Sequence, residues 1–507
     1  MVSIQYTPNC ETCRILLVHP STGSKASLAA TLAPCEHLGL AYVSAALRLL
    51  NRDCRILDLE SSPLTPLAMA RQVKMDNIML VGFSPTSLSV RDAIDHLHAI
   101  KTHCPNVIVI WGGHMATGLG YDVFTAVPPL DAVVVGDGVS VINVVAEAVE
   151  RYQGLPQHPQ VLVNPSSTLP LIRDYPATHV PSWTDLLPTR VLSQSDYERH
   201  GARLLTSLGC PYNCVFCTTP FVHGARRTLR PLAHVISEVR TLHNDFGVTR
   251  LWINDDLFLD HSSASHERAC NFAKHLHDLD PSFRFRVLVR ADSFGEDAST
   301  LDTLVACGMD TVFIGIESGD DNALAELNKH ANTSSSSTLV RKLRARNVRL
   351  QSGFIMFTPQ ATPASLRRNV QFLYDIGELY RLFPTTRTVR IFPGTLLWHS
   401  LRTPTDVDES RSTPFLRYPR FLRTDVRELS LAFESLEEDF APIDATMYAL
   451  RIYGGLSNET HHLVSCKIYD TLSAAIAAAE KGAVADDIRE LVARIRPELQ
   501  AITEMSQ

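Results

Sequence analysis

The chain has 507 residues, of which 45% are hydrophobic and 20% are charged, and its formal net charge at pH 7 is -7. This length exceeds what one ordinary hydrophobic core supports, so we expect several domains of a soluble globular protein. The acidic balance and the lack of long Lys/Arg runs exclude a polyanion-binding face, so we expect no nucleic-acid or membrane partner. No apolar run is long enough for a membrane span, and the first residues lack a signal-peptide pattern, so we expect a cytoplasmic protein.

Residues 1–150 contain five short runs rich in Val, Ile and Leu, which alternate with segments of helical periodicity. Such an alternation predicts a doubly wound, Rossmann-like parallel sheet, which binds ligands at the carboxyl ends of its strands. Cys10 and Cys13 form a lone CxxC before the first run, and we assign this pair no role.

The rest of the chain divides into three further regions. Residues 151–200 carry seven prolines and little periodicity, which indicates a linker or wrapping segment. Residues 201–400 alternate six strand-like and helix-like segments, which predicts a (β/α)6 partial barrel with its site at the strand carboxyl ends. Residues 401–507 show amphipathic helical patterns and predict a helical domain.

The stretch CPYNCVFC follows the first strand of the predicted barrel and places Cys210, Cys214 and Cys217 within eight positions. Thiolates suit an iron–sulfur cluster, zinc or copper(I), and a closed site needs four protein ligands. Three cysteines on one loop therefore predict a cluster with one open iron. The alternative is a Cys3His zinc site that uses His223 as the fourth ligand.

The CxxxCxxC spacing at the end of the first barrel strand resembles the radical S-adenosylmethionine (SAM) superfamily. Phe216 matches the aromatic position that packs near the SAM adenine in that superfamily. The resemblance implies a 4Fe–4S cluster on the three cysteines, whose free iron chelates SAM. Reduction by an electron donor such as flavodoxin or ferredoxin would then split SAM into methionine and a 5'-deoxyadenosyl radical.

Polar residues end the later barrel strands, and the resemblance implies that those facing inward bind the amine, ribose and carboxylate of SAM. They are Asp255, Asp256, Arg290, Asp292, Glu317 and Ser318. For each residue the alternative is a solvated turn or a helix cap. The segment IFPGTLL, residues 391–397, resembles the segment at the sixth strand of this superfamily.

A doubly wound domain before such a barrel resembles the cobalamin-binding branch of the superfamily, which contains many C-methyltransferases. The matching segments are HLGLAYVSAALR, GFSPTS, WGGHMAT and VVVGDG. Small residues in these loops let the backbone approach a large flat ligand. The expected cobalamin-binding residues are Ser84, Thr86, Gly112, Gly113, Gly136 and Gly138.

The first loop, HPSTGSK, has no DxHxxG motif, so it offers no histidine to the cobalt, and VVGDGVS replaces the relatives' GEGE. His19, His37 and His114 lie near the loops, and we expect none of them to be a cobalt ligand.

These patterns predict a cobalamin-dependent radical SAM methyltransferase that acts on an unactivated carbon of a small molecule. By resemblance, one SAM methylates the reduced corrinoid and a second yields the radical that activates the substrate. The alternatives are a radical rearrangement, ring contraction or cyclisation without methyl transfer, and a metal-stapled binding protein without turnover. In the helical tail, Tyr448, Tyr453 and Tyr469 are candidates for substrate contacts, although helical spacing favours core positions for them.

Overall fold

The structure is a computed structural model that describes residues 14–23, 36–173, 182–295, 298–403, 405–453 and 455–505. Cys10 and Cys13 lie outside the described residues. In the described ranges, no helix combines the length and the apolar character that a membrane crossing requires.

The N-terminal region is a twisted sheet between two layers of helices. Its first strands are β1 Ile15–His19, β2 Cys54–Asp58, β3 Leu80–Phe83, β4 Ile108–Trp111 and β5 Ala132–Val134. Its helices are α1 Leu38–Leu49, α2 Pro66–Met75, α3 Val90–His103, α4 Gly113–Leu119, α5 Val123–Ala126 and α6 Gly138–Tyr152. The strand order is β2-β1-β3-β4-β5 with every neighbour parallel. The order reverses beside β1, so the predicted doubly wound sheet is confirmed, with its switch point between β1 and β3.

The segment predicted to be a linker adds a strand to this sheet. Its strands are β6 Leu155–Pro156, β7 Val161–Val163 and β8 Leu171–Ile172, and its helix is α7 Gln194–His200. β7 pairs antiparallel with β5 at the sheet edge. Pro156 and Pro159 stand just before β7 and hide the short strand from a periodicity search.

The barrel region is an open parallel sheet with the order β9-β12-β13-β14-β15. Its strands are β9 Ala202–Leu204, β10 Ser207–Leu208, β11 Thr228–Leu229, β12 Arg250–Ile253, β13 Arg284–Arg290, β14 Met309–Glu317 and β15 Arg349–Phe354. Its helices are α8 Thr219–Val222, α9 Leu232–Phe246, α10 Ser263–Leu279, α11 Ser299–Ala306, α12 Asp321–Glu326, α13 Thr333–Arg344, α14 Pro363–Asp375 and α15 Leu396–Ser400.

The sixth strand of the predicted barrel is reduced to one parallel bridge, between Phe357 and Thr388. Pro384 and Pro393 bracket this segment, and proline cannot donate to a strand ladder. The partial barrel is confirmed, with five regular strands and a sixth position that is only bridged.

The C-terminal helices are α16 Thr424–Ser435, α17 Glu437–Tyr453, α18 Asn458–Glu480, α19 Ala485–Ala493 and α20 Arg496–Met505. The first begins at Thr424, later than the expected boundary at 401, because Pro414 and Pro419 interrupt the preceding segment. Buried tail residues such as Phe433 and Ile468 belong to the same hydrophobic cluster as the barrel helices. The tail therefore packs on the barrel core, and the division into four domains stays a prediction.

A second hydrophobic cluster joins the N-terminal sheet to the barrel. Trp111 and Met115, at the end of β4 and in α4, share it with Leu397 and Trp398 of α15. Val215 and Phe216 of the cysteine loop pack against the same cluster. The carboxyl ends of the two sheets therefore face each other.

Candidate functional site

The three cysteines lie on a loop closed by a small antiparallel ladder between β10 and β11. Cys214 is buried, Cys210 and Cys217 are half-buried, and all three are free thiols. The Cys217 N–H donates to the Cys214 carbonyl at 3.1 Å, so the chain turns sharply between them. The Val215 N–H donates to the Leu327 carbonyl, and the Val215 carbonyl accepts from the Leu397 N–H at 2.8 Å. The cysteine loop is thus held by the end of α12 and by the start of α15.

A frame of buried charges supports this loop from the ends of β13 and β14. The Arg290 guanidinium lies 3.7 Å from the centre of the Tyr212 ring, which belongs to the loop. Arg290 also donates to the Lys329 carbonyl at 2.6 Å, and Lys329 Nζ lies 2.9 Å from Glu317 Oε1. Burial raises the pKa of the Cys214 thiol, and the positive charges of Lys329 and Arg290 oppose that rise.

Asp256 joins the loop from the end of β12. It accepts from the Gly209 N–H at 2.8 Å, from Thr219 Oγ1 at 3.0 Å, and lies 2.8 Å from His223 Nδ1. Burial would raise the pKa of Asp256, but the contacts with His223 and Gly209 hold it below its usual value. Asp256 therefore carries a negative charge beside the cysteine loop.

Two of the residues predicted to bind SAM have protein hydrogen-bond partners, and their role in SAM binding stays a prediction. Asp255 is 1% exposed and accepts from Thr206 and Ser207 at the end of β9. Burial raises the pKa of its carboxyl. Ser318 is fully buried and donates to Asn369 Oδ1 of α14 at 2.8 Å. Both tie strand ends to their neighbours, because buried polar groups need partners.

The other predicted residues lie around the loop, and their cofactor roles stay predictions. Glu317 ends β14 with φ +69, a left-handed conformation that is uncommon for a residue with a Cβ. Asp292 Oδ1 lies 3.0 Å from Arg290 Nε, so it holds the arginine that stacks on Tyr212. Phe216 is half-buried between the two sheets.

The predicted cobalamin residues lie together at the carboxyl end of the N-terminal sheet. Ser84 follows β3, and a Cβ built on Gly113 would lie 2.9 Å from its Oγ. The Gly136 N–H donates to Thr117 Oγ1 at 3.0 Å. Thr86 Oγ1 accepts from the Leu88 and Ser89 N–H groups and is thus committed to a turn.

The glycines of these loops leave room for a ligand. A Cβ built on Gly112, Gly136 or Gly138 would approach no atom closer than 3.6 Å. Asp137 caps α6 by accepting from the Val139 N–H, and burial raises the pKa of its carboxyl. Glycine-rich loop ends without close neighbours fit the approach of a large, flat ligand such as a corrinoid.

The two strand-end regions touch through their side chains. The rings of His114, on the N-terminal side, and His223, beside the cysteine loop, meet edge to face at a centroid distance of 4.9 Å. A Cβ on Gly118 would overlap the carbonyl of Pro393, so α4 packs directly on the IFPGTLL segment. Two motifs far apart in sequence, WGGHMAT and IFPGTLL, therefore form one contact.

The donor set fits an iron–sulfur cluster bound by three thiolates. The thiols share one rigid loop, and two cations stand near Cys214, whose charge would balance a thiolate-bound cluster. Among the described residues, no group of three or more His, Cys, Asp or Glu side chains surrounds a single ion position. His223, the proposed fourth zinc ligand, has its Nδ1 on Asp256 and its ring against His114.

Sequence reasoning missed two members of this site. Lys329 lies in a loop between α12 and α13, and no motif marks it as the partner of Glu317. The sequence marks His223 only as the alternative zinc ligand. Its contacts with Asp256 and His114 depend on the packing of two sheets that are distant in sequence.

Two family models match the two strand-end regions. The B12 binding domain matches residues 25–146, and the Radical SAM superfamily matches residues 204–373. The chain is a radical SAM enzyme with a B12-binding domain. The predicted cofactors of this radical SAM enzyme, a 4Fe–4S cluster, SAM and cobalamin, are thereby confirmed.

Two curated relatives of this radical SAM enzyme differ in their named reactions. An uncharacterized methyltransferase of Pyrococcus horikoshii is 27% identical over 396 residues, which cover 76% of this chain and 82% of the relative. An anaerobic magnesium-protoporphyrin IX monomethyl ester cyclase of Synechocystis is 24% identical over 354 residues, which cover 66% and 67%.

Two solved structures share the fold of this radical SAM enzyme. The cobalamin-dependent S-adenosylmethionine radical enzyme OxsB with aqua-cobalamin superposes with a TM-score of 0.68 at 15% identity, covering 97% of this chain and 79% of OxsB. The radical S-adenosylmethionine methyltransferase TsrM from Kitasatospora setae, with cobalamin and a 4Fe–4S cluster, gives a TM-score of 0.64 at 17% identity, covering 91% and 99%. The likeness includes the helical tail, which lies outside both family models.

Proposed function

We propose that this radical SAM enzyme is a methyltransferase that transfers a methyl group to an unactivated carbon of a small biosynthetic molecule. The contact between His114 and His223 carries the proposal, because it joins the corrinoid end of one sheet to the cluster end of the other. A substrate between these ends would reach both cofactors. The relatives named as methyltransferases support the same reaction.

When bound, the cluster and SAM supply a carbon-centred radical, and the corrinoid supplies a methyl group. The protein's part is positioning and exclusion of water. Arg290 and Lys329 hold the cysteine loop, and the hydrophobic cluster around Trp111 and Trp398 seals the contact between the sheets. Hydrogen abstraction needs no strong acid or base. This agrees with the position of Asp255, whose carboxylate accepts hydrogen bonds from Thr206 and Ser207.

A second candidate is a radical cyclisation, ring contraction or rearrangement without methyl transfer. The similarity to a cyclase of Synechocystis favours it, since that relative matches 66% of this chain. For either reaction the electron donor would be a small redox protein such as flavodoxin or ferredoxin. A metal-stapled binding protein without turnover is the least supported reading.

The test starts from anaerobically reconstituted protein supplied with hydroxocobalamin. We expect about four irons per chain with matching sulfide, and cobalt in equimolar amount. With SAM, reductant and candidate substrates, a methyltransferase forms both S-adenosylhomocysteine and 5'-deoxyadenosine. A cyclase or rearrangement enzyme forms 5'-deoxyadenosine alone. Iron without cobalt would contradict the methyl transfer, and zinc without iron would contradict both radical reactions.

A further inference from the structure

The lumen of the partial barrel carries an arginine that forms no ion pair with any carboxylate in the described part of the chain. Along β13, Phe285, Val287 and Val289 are buried in the core, so the alternate residues, including Arg286, face the lumen. Arg286 lies four residues before Arg290, which places it about 13 Å below the cysteine loop along the strand.

The Arg286 guanidinium lies between two aromatic rings. Its central carbon is 5.8 Å from the centre of the Trp252 ring and 5.3 Å from the centre of the Phe313 ring. Its Nε donates to Gln351 Oε1 at 2.6 Å. A guanidinium has five N–H donors, and in the described part of the chain the other four have no hydrogen-bond partner.

A second cation lies close to Arg286. The positive charge of Arg203, which is in register with Trp252 on the neighbouring strand, acts on Arg286. Within the described ranges, neither Arg203 nor Arg286 forms an ion pair with a carboxylate. Burial lowers the pKa of Arg286 to about 10, so the side chain is still a cation at neutral pH. A partly desolvated cation without a partner is costly, which indicates that a ligand supplies the negative charge.

The neighbouring arginines at the same end of the barrel show the contrast. Arg250 Nη1 lies 3.1 Å from Asp310 Oδ2, and Arg349 pairs with the same carboxylate. Among the residues that the structure describes, Asp310 thus pairs with Arg250 and Arg349, and no carboxylate pairs with Arg286.

A residue of the tail also contacts this arginine's partner. Gln351 donates to the Tyr448 hydroxyl of α17, so Tyr448, expected in the core, reaches the lumen. The Arg381 guanidinium lies 4.7 Å from the centre of the Tyr448 ring. Arg381 is 5% exposed, and its positive charge opposes the rise that burial causes in the pKa of the Glu378 and Asp444 carboxyls, so this cation has acidic neighbours. Tyr469 instead bonds Gln371 near the surface, and the Tyr453 side chain lies outside the described residues.

We propose that Arg286 binds an anionic group of the substrate, a carboxylate or a phosphate, in the barrel lumen, with Arg203 adding positive charge. The flanking rings of Trp252 and Phe313 would accept an apolar or aromatic body attached to that group. The inference rests on the proposed function only in taking the lumen as the substrate site. It names the class of substrate and a residue that determines specificity.

The test measures binding of benzoate, phenyl phosphate and benzamide to the reconstituted full chain by calorimetry, without SAM or reductant. We expect an anion to bind and the neutral benzamide to bind at least about tenfold more weakly. The Arg286→Gln variant should lose about tenfold in anion affinity, and Arg286→Lys should lose less. The matched control Arg250→Gln should bind as the wild type does. The preferred anion distinguishes a carboxylate from a phosphate.

Equal binding of benzoate and benzamide, undiminished binding by Arg286→Gln, or no binding of either anion would overturn the proposal. If Arg286→Gln fails to fold, phenylglyoxal labelling of the wild type replaces it. Phenyl phosphate should then protect Arg286 and leave Arg250 reactive, and equal labelling with and without the anion would also overturn it. Because no turnover is involved, these outcomes are independent of whether the enzyme transfers a methyl group.

Discussion

The two parallel sheets of this enzyme end in different chemistry. The N-terminal sheet ends in small residues such as Gly112 and Gly136, where an added Cβ would meet its neighbours at no less than ordinary van der Waals distance. The barrel sheet ends in Arg290, Glu317 and Asp256. Arg290 and Glu317 both contact Lys329, and Asp256 accepts a hydrogen bond from Gly209 beside the cysteine loop. One sheet edge makes room for a ligand, and the other fixes a loop. Equal topology therefore does not imply equal use of the strand ends.

The same contrast holds for the ionisable groups. In the N-terminal region, burial and the neighbouring His19 lower the pKa of His37 to about 3, so the ring is neutral. In the barrel region, Lys329 and Glu317 form a buried ion pair. A substitution of His37 should therefore change how stability depends on pH, whereas a substitution of Lys329 should lower the stability itself.

The largest effect is expected from Cys214→Ala. The variant should lose the cluster and all 5'-deoxyadenosine formation, because one iron loses its only protein ligand. Cobalamin uptake should be retained, since the glycine-lined loops belong to the other sheet. Iron analysis, cobalt analysis and product chromatography measure the three quantities. Cys307→Ala, a cysteine outside the loop, is the matched control. Residual 5'-deoxyadenosine would contradict the assignment of the cysteines.

Lys329→Met should cost about 3 kcal/mol in the free energy of unfolding, because Glu317 remains buried without its cation. The variant should also retain less iron, since a positive charge beside Cys214 is lost. Denaturant titration and iron analysis test both effects. The double variant with Glu317→Gln should regain most of the stability, and no recovery would show that the pair is not the cause.

Gly118→Ala tests the contact between the two sheets. The new Cβ would overlap the Pro393 carbonyl, and we expect a loss of about 2 kcal/mol although alanine favours the helix. The matched control is Gly112→Ala, whose Cβ would lie 3.9 Å from its nearest neighbour. The control should keep its stability and bind cobalamin more weakly. Equal stability of both variants would argue against a tight contact.

His37→Asn should reduce the pH dependence of stability. The unfolded chain protonates His37 below about pH 6.5, whereas the folded chain does not until about pH 3. The wild type therefore loses stability as the pH falls from 6.5, by about 2 kcal/mol at pH 5. Asparagine can keep the cap on α1 without titrating. Denaturant titrations at pH 5 and pH 8 test this, with the exposed His98→Asn as control. An unchanged pH dependence would show that His37 is not the group responsible.

The sequence predicted the elements that local pattern controls. Apolar runs alternating with helical periodicity indicated both parallel sheets, and the CxxxCxxC spacing indicated the cluster loop. It failed where a strand is short, as at β7, or where prolines interrupt a segment, as before α16. Periodicity needs several residues to be visible, and two or three residues do not provide it.

The sequence alone therefore determined the two sheets, the three cysteines and the small loops, because each depends on residues close together in the chain. Tertiary structure decided which polar residues are committed to protein partners. Asp255 and Ser318 form hydrogen bonds with Thr206 and Asn369, and His223 contacts His114, which lies 109 residues earlier in the sequence. It also decided that, among the described residues, Arg250 has an acidic partner and Arg286 has none. The physical reason is that pairing depends on distance in space, which only the packing of whole elements fixes.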